Sequence, residues 1–533
     1  MKTRKAVFVA LLVCVAGVLT PAELMKADGR DSSTAPAPRK LRYINPLPLD
    51  SYPLETIARS RAIGGKGLGT KGHEMRHMAD ITVIRYKGKY YLFASRGWLW
   101  VSDDLVNWEY HPVSLPDAKP TWSPNLFEYQ GYLYVAGAEV GWYRCRDPLG
   151  PWEHIGEFKD QNGKDIKLFD PMTFVDDDGR VYVYFAGATF GRGTGKSYGA
   201  EGTYGVELDR KDLTRFVGPP KHLFRYEKSH VWERYGDNNE QIDLSWIEGQ
   251  WMTKHNGTYY LQYSASGTDW KTYAVGVYTC NHPLGPFTYA PRNPILADRH
   301  GLINGTGHHS VVEGPDGNLW AFYTLLYRNW DRFERRVGMD PVGFDEKGNM
   351  FVNGPTETPQ WAPGVKAKPW LGNDSGSMVV SLNKFTYDVS SERPGRDATY
   401  AFDNNVRTWW EPAENDAQPW LMLDLGCANA NDPHQTFVID SSRILFSDAY
   451  LNIAEGIVPG PYQYKIEVSS DGQTFKTVLD KTQNTKDHNI EFDEIAPAQC
   501  RYVRLTITGA PKKVPIGILE FTVFGKPVES GSR

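Results

Sequence analysis

Three carboxylates stand at matching places in a chain that repeats a hairpin signature. Asp80 lies eight residues before Gly88, while Asp170 and Glu248 lie nine residues before Gly179 and Gly257. At the same nine-residue offset Trp122 precedes Gly131 and His308 precedes Gly317. Asp and Glu can take up and return protons near neutral pH, and two of them suffice to cleave an acetal linkage through an oxocarbenium-like transition state. A third beside them keeps one of the pair protonated, because a neighbouring negative charge disfavours ionisation. Taken singly, each is an ordinary solvated turn residue. Together they matter only if the elements that carry them are repeats.

The repeats are visible. Lys87-Gly88-Lys89-Tyr90-Tyr91, Gln130-Gly131-Tyr132-Leu133-Tyr134, Asp178-Gly179-Arg180-Val181-Tyr182, Asn256-Gly257-Thr258-Tyr259-Tyr260 and Asp316-Gly317-Asn318-Leu319-Trp320 share a polar residue, a glycine and a strand start. Glycine there allows the positive φ of a tight hairpin. Helical periodicity is weak, and short strands between Gly, Asn, Asp and Pro turns dominate, so the chain is all-β. Five copies at spacings of 43, 48, 78 and 60 residues predict a five-bladed radial repeat. In such a fold the strand before each first hairpin lines the central channel, which brings the counted positions to one spot. Leu105-Val106-Asn107-Trp108, Leu149-Gly150-Pro151-Trp152 and Leu284-Gly285-Pro286-Phe287 read as turns into outer strands, with the aromatic packed between blades.

Length and composition set the frame. A chain of 533 residues exceeds one core, and a formal charge of −5 gives no reason to expect nucleic acid or an anionic membrane as partner. The many aromatics (17 Trp, 30 Tyr and 23 Phe) serve mostly as β-core, with some free to stack on sugar faces. Lys2, Arg4 and Lys5 precede an apolar run of 14 residues from Ala6 to Leu19, with Thr20 and Ala22 spaced for cleavage. That pattern is a signal peptide, too short to span a bilayer, and predicts a secreted or periplasmic protein without a transmembrane segment. Cys14 lacks the small residue that usually precedes a lipidated cysteine. Of the later cysteines (Cys145, Cys280, Cys427 and Cys500), Cys427 and Cys500 either pair or remain buried thiols. The chain divides into a signal peptide (1–22), a linker (23–41), a propeller (42–366), a second linker (367–376), a β-sandwich (377–526) and a tail (527–533).

Ala79-Asp80-Ile81-Thr82-Val83-Ile84-Arg85, Trp122-Ser123-Pro124-Asn125, Phe169-Asp170-Pro171, Ile247-Glu248-Gly249 and Gly305-Thr306-Gly307-His308-His309-Ser310 resemble, in order and spacing, glycoside hydrolase family 43. Ile81 follows Asp80 where the family usually has Pro, and Gln250 replaces the Pro common after Glu-Gly. The resemblance implies a five-bladed propeller and inversion. Asp80 would be the general base, Glu248 the general acid and Asp170 the residue that raises the acid's pKa. It leaves the sugar open among α-L-arabinofuranosides, β-D-xylosides and β-D-galactofuranosides. The long insertion between Gly179 and Gly257, with Phe190–Gly195 and Trp232–Tyr235, favours exo-action. His308 is read either as an axial metal ligand or as a hydrogen-bonded channel residue. Arg336 either reaches the terminal sugar or forms a rim ion pair, and Trp122 is a candidate pocket wall.

Ala401-Phe402-Asp403-Asn404-Asn405, Thr408-Trp409-Trp410, Pro419-Trp420-Leu421, Tyr464–Ser469 and Arg501–Leu505 resemble a coagulation factor V/VIII type C (discoidin) domain, a jelly-roll sandwich of the family 32 carbohydrate-binding type. The resemblance implies a structural Ca²⁺ near Asp403, Thr408 and Glu520, with no cofactor for the chemistry itself. Trp409 and Trp420 are expected in the core, and Trp410 and Tyr462 in ligand-facing loops. Two rival readings are a propeller that binds glycans without turnover and a retaining enzyme with a carboxylate nucleophile on fructosides. Oligomeric state is not readable.

Overall fold

The computed structural model describes residues 40–51, 69–70, 73–74, 76–95, 98–113, 115, 122–138, 141–187, 202–327, 334–382, 384, 387–426 and 435–528. The leader, most of the first linker, Phe190–Gly195 and Cys427 lie outside them. Among the described residues, helix is confined to short 3₁₀ turns such as Val231–Glu233 and Ala398–Ala401, and the remainder is strand and loop. No described helix is long and apolar enough to cross a membrane.

Five sheets succeed one another along residues 82–352, antiparallel apart from one parallel strand pair in the third. Their first strands are Thr82–Tyr86, Trp122–Tyr129, Phe169–Val175, Glu248–His255 and Gly307–Glu313. Each touches the next, and the fifth touches the first, so the sheets close into a propeller ring. The hairpin glycines act as expected: Lys87-Gly88, Gln130-Gly131 and Asn256-Gly257 each carry two consecutive positive φ angles. That is the turn whose twist matches a two-residue β-hairpin. The third sheet is enlarged to seven strands by Phe158–Lys159, Asp165–Ile166 and Lys221–Phe224.

The core lies between blades. One apolar cluster joins each adjacent pair, for example Phe93, Leu133 and Trp152 between blades one and two, and Trp108, Trp320 and Phe322 between blades one and five. The outer-strand aromatics sit in these seams. Trp152 meets Phe93 edge-on at 6.2 Å, Trp108 meets Phe322 at 5.8 Å and Phe287 meets Phe224 at 6.4 Å.

The C-terminal sandwich packs a four-stranded sheet (Met378–Val379, Ile518–Pro527, Phe437–Phe446, Ile490–Cys500) on a five-stranded one (Tyr387–Val389, Trp420–Asp424, Tyr502–Gly509, Gln463–Ser469, Lys476–Asp480). Trp409 is buried and Trp420 partly so. Trp410 and Tyr462 correct the loop expectation, since both are fully buried. Trp410 exchanges backbone hydrogen bonds with Ile518, and Tyr462 stacks on Phe446 at 3.9 Å. Both belong to the sandwich's own apolar core, with Leu421, Phe446 and Tyr464. Val406, Trp409, Leu445, Ala449 and Leu519 of the sandwich share one apolar cluster with Leu302, Ile303 and Tyr327 of the propeller. Cys145, Cys280 and Cys500 are buried free thiols, and the pairing of Cys427 falls outside the described residues.

Candidate active site

A shared backbone device sets the site at the head of the inner strands. Asp80, Ser123, Asp170, Gly249 and His308 all have positive φ, between 40° and 61°. In blades two to five the strand register slips at that point, within Trp122/Asn125, Phe169/Met172, Glu248/Trp251 and Gly307/Ser310. A bulge of this kind bends a strand and re-aims its side chains. The equivalent positions are therefore Asp80, Ser123, Asp170, Gly249 and His308. Trp122 and Glu248, counted as equivalents from sequence, sit one residue earlier. The Trp122 side chain lies outside the described residues.

The structure brings Asp80, Asp170, Glu248 and His308 together. The three carboxylates are nearly buried, at 6%, 5% and 5% exposure. His308 Nδ1 stands 3.5 Å from Asp80 Oδ1 and 3.6 Å from Asp170 Oδ2, and its backbone N–H donates to Ser264 Oγ at 2.8 Å. The imidazole thus faces two carboxylates, an arrangement that fits either reading of His308. Among the described residues no group of three or more His, Cys, Asp or Glu is placed to hold a metal ion. A small opening at the heads of the inner strands is lined in part by Ser123, Asp170, Gln250 and His308.

Each carboxylate has its own surroundings. Arg335 donates to Asp80 Oδ1 at 2.9 Å and Oδ2 at 3.3 Å, and Ser95 Oγ donates to Oδ2 at 2.8 Å. Burial raises the Asp80 pKa, but Arg335, His308 and His77 and the Ser95 hydrogen bond outweigh it and hold the carboxyl far below its ordinary range. Glu248 is the opposite case. Burial comes first, the charges of Asp170 and Asp80 add to it, and its pKa stands well above the ordinary value. Tyr273 Oη donates to Glu248 Oε1 at 2.8 Å and Trp246 Nε1 donates to Oε2. Asp170 is raised by burial and by Asp80, with His308, Ser123 and the Gly249 N–H opposing. One carboxylate thus stays ionised while another stays protonated at the same pH.

Of the two readings of Arg336 the ion pair is the one formed, in the interior and not at a rim. Arg336 is buried, reaches neither the pocket nor the rim, and spends its guanidinium on Glu334 at 2.9 Å and on the Arg76 carbonyl. Arg335, its neighbour on the strand Arg335–Phe344, is the arginine of the site, because successive strand residues face opposite ways. Sequence reasoning missed Arg335, Tyr273, Trp246 and Ser95. Only Arg335 and Trp246 left a signal, as close neighbours of residues already singled out.

In the sandwich, Asp403, Thr408 and Glu520 do gather. Thr408 Oγ1 donates to Asp403 Oδ2 at 2.7 Å, and Glu520, 2% exposed, accepts the Asn404 N–H at 2.9 Å. Burial, then the nearby Asp403, raises the Glu520 pKa well above its ordinary value.

The chain is similar to known proteins. The chain is 28% identical over 277 residues to a β-D-galactofuranosidase of Aspergillus niger, spanning 47% of this chain and 72% of that protein. It is 30% identical over 265 residues to xylosidase/arabinosidase 43A of Humicola insolens, spanning 45% and 76%. A solved structure of a thermostable family-43 glycoside hydrolase aligns over 61% of this chain and all of the other, at 25% identity and a TM-score of 0.48. Residues 400–505 match the family model for a NedA-like, galactose-binding domain. The model for glycosyl hydrolases family 43 matches residues 75–350, a span that holds all three carboxylates, Arg335 and His308, and the chain belongs to that family.

Proposed function

We propose that this glycoside hydrolase is exported, acts from chain ends with inversion, and removes terminal α-L-arabinofuranosyl or β-D-xylosyl residues from plant-type polysaccharides or oligosaccharides. The observation that carries the mechanism is the contrast in surroundings: Arg335 and Ser95 bond Asp80, whereas Glu248 is buried facing two other carboxylates. Glu248, neutral in its buried site, protonates the departing glycosidic oxygen. Asp80, kept anionic by Arg335, takes a proton from water attacking the opposite face of the sugar. Asp170 keeps Glu248 protonated and is placed to orient a substrate hydroxyl. Relatives named xylosidase/arabinosidase from Butyrivibrio fibrisolvens, Humicola insolens and Bacteroides ovatus favour these sugars. The Aspergillus niger relative keeps a β-D-galactofuranoside as the second reading.

The test is hydrolysis of aryl α-L-arabinofuranosides, β-D-xylopyranosides and β-D-galactofuranosides by the native chain and by Glu248→Ala and Asp80→Ala. Each substitution should lower kcat by about 10²–10⁴-fold. A highly activated leaving group should restore much of the Glu248→Ala loss and none of the Asp80→Ala loss. Equal restoration would overturn the assignment. NMR of the first-formed sugar should show the inverted anomer; retention would favour a carboxylate nucleophile. Binding without turnover on every glycoside would favour the lectin reading.

The donor set Asp403, Thr408 and Glu520 is all oxygen and suits Ca²⁺, whose charge would stabilise the buried Glu520 carboxylate beside the exposed Asp403. We propose a structural ion there. A chelator should lower the melting temperature, and Asp403→Ala should remove that sensitivity.

A further inference from the structure

We propose that Asp448, a residue of the sandwich, is a positioning residue for the Asp80–Arg335 pair of the propeller. The proposal rests on the reading of Asp80 as the base. Asp448 is 4% exposed and Arg76 is 1% exposed. Arg76 Nε donates to Asp448 Oδ2 at 2.8 Å and Nη2 makes a second contact to the same oxygen. Arg76 Nη1 donates to Asp487 Oδ1, also of the sandwich, at 2.7 Å. Tyr462 Oη donates to Asp448 Oδ1 at 3.1 Å, so both carboxylate oxygens are occupied.

From Arg76 two routes lead to the base. One is the chain itself, since Asp80 is four residues on and the Met78 N–H donates to the Arg335 carbonyl at 3.1 Å. The other crosses to the strand that carries Arg335. Arg336 Nη1 donates to the Arg76 carbonyl, and Arg336 Nη2 donates to Glu334 Oε1 at 2.9 Å. Beneath Arg336 lies Tyr327, its ring centroid 4.2 Å from the guanidinium carbon, and Tyr327 Oη donates to the Phe446 carbonyl of the sandwich at 3.0 Å. At the far end Arg335 bonds Asp80 and also donates to Thr268 Oγ1 at 2.6 Å. Segment 76–80 and the start of the Arg335 strand are tied to each other, and the sandwich grips both.

Charge explains why Asp448 is needed. Arg76 and Arg336 are buried close together, and Asp448, Asp487 and Glu334 supply the compensating charge, Asp448 being the fully buried partner of Arg76 and Asp487 the partly exposed one. Removing one partner of a buried pair leaves the other uncompensated, and the backbone shifts to find water or a new partner. A misplacement of about 1 Å at a reacting group costs about 100-fold in rate. Facing Asp80 itself are Arg335, His77, His308, Asp170, Glu248 and Tyr273. Facing Asp448 are Arg76, Arg336, Asp487 and Tyr462.

The experiment is a double-mutant cycle on the full chain, read well below each variant's melting temperature. Asp448→Asn should lower kcat by about 10–100-fold, the range a sub-ångström to ångström misplacement produces, with KM changed less than about twofold. In an Arg335→Lys background the same change should cost less than about twofold more, because two changes acting through one contact are not additive. A mere glue between domains would leave kcat per folded molecule unaltered, or add its full cost in the Arg335→Lys background, and either result overturns the proposal. If Asp448→Asn does not fold, Tyr462→Phe removes only one hydrogen bond to Asp448. It should give a smaller kcat loss that again vanishes beside Arg335→Lys, and an unchanged kcat overturns the proposal. If the native chain hydrolyses no glycoside, the glycosidase reading falls, and hydrogen exchange across 76–80 decides this one. Faster exchange in Asp448→Asn, or in Tyr462→Phe, supports it, and unchanged exchange overturns it.

Discussion

At Asp80, burial pushes the carboxyl toward its neutral form and loses to Arg335, two histidines and Ser95. At Glu248, burial wins, because the charges that face it are negative. On the proposed roles activity requires Asp80 ionised and Glu248 protonated, so the pH–rate profile should be a bell whose acid limb reports Asp80 and whose basic limb reports Glu248. Ser95→Ala removes a hydrogen bond that favours the Asp80 anion, so the Asp80 pKa rises and the acid limb moves to higher pH. Asp170→Asn removes a negative charge that disfavours the Glu248 anion, so the Glu248 pKa falls and the basic limb moves to lower pH. Kinetics of kcat/KM against pH checks both, and movement of either limb in the opposite sense contradicts the stated cause. The three carboxylates and His308 were legible in sequence because a turn glycine marks the head of each inner strand to within one residue. Arg335 was not, because two adjacent strand residues face opposite ways and composition does not say which faces the pocket.

The elements place these groups through a bend, and the bend has a cost. L-residues at positive φ are held there by surrounding structure, and Asp80, Ser123, Asp170 and His308 all pay it at the head of an inner strand. Sequence counting found the blades but misjudged two equivalences, since blades three and five close their first hairpins with longer turns (176–180 and 314–318) than the two-residue turns of blades one, two and four, which shifts the count from the glycine by one. Gly307 shows how tightly the element is fitted. A Cβ there would stand 2.2–2.8 Å from ring atoms of Tyr273, the phenol that holds Glu248. Gly307→Ala should therefore destabilise the fold by about 1–3 kcal/mol, as overpacking does. It should also lower kcat more for poor leaving groups than for activated ones, because the acid is displaced. Gly317 is the control, with positive φ but open space around its Cβ. Gly317→Ala should cost about 1–2 kcal/mol from backbone strain and leave kcat unchanged. Thermal unfolding and a leaving-group series separate the two. A Gly307→Ala enzyme with unaltered kcat would show that Tyr273 yields without moving Glu248.

At the scale of the whole molecule, sequence separates a propeller from a sandwich, and the structure fuses them. Their joint surface combines a continuous apolar cluster with charged residues that composition alone reads as solvated. Arg443 of the sandwich, 1% exposed, donates to the carbonyl of Asn45 at 2.6 Å. Arg42 pairs with Asp440 at 2.9 Å and Glu494 at 2.8 Å, and Arg407 pairs with Asp237 at 3.1 Å. Each of these partners lies hundreds of residues away in sequence or in another domain, and no local pattern marks it. The consequence is thermodynamic. A surface that buries apolar side chains and charge pairs at once couples the unfolding of both parts, so calorimetry of the full chain should show one transition in which the calorimetric and van't Hoff enthalpies agree. Cutting the chain before residue 377 would expose Leu302, Ile303 and Tyr327 and strip Arg76 of both its carboxylate partners. Loss of a buried partner costs about 3–5 kcal/mol, a large share of a domain's net stability. The isolated propeller should therefore aggregate or melt far below the full chain and show no turnover. A truncated propeller that is soluble, melts near the full chain and retains kcat would mean that the sandwich is an appendage, and that the buried ion pairs at the joint contribute little to either fold or rate.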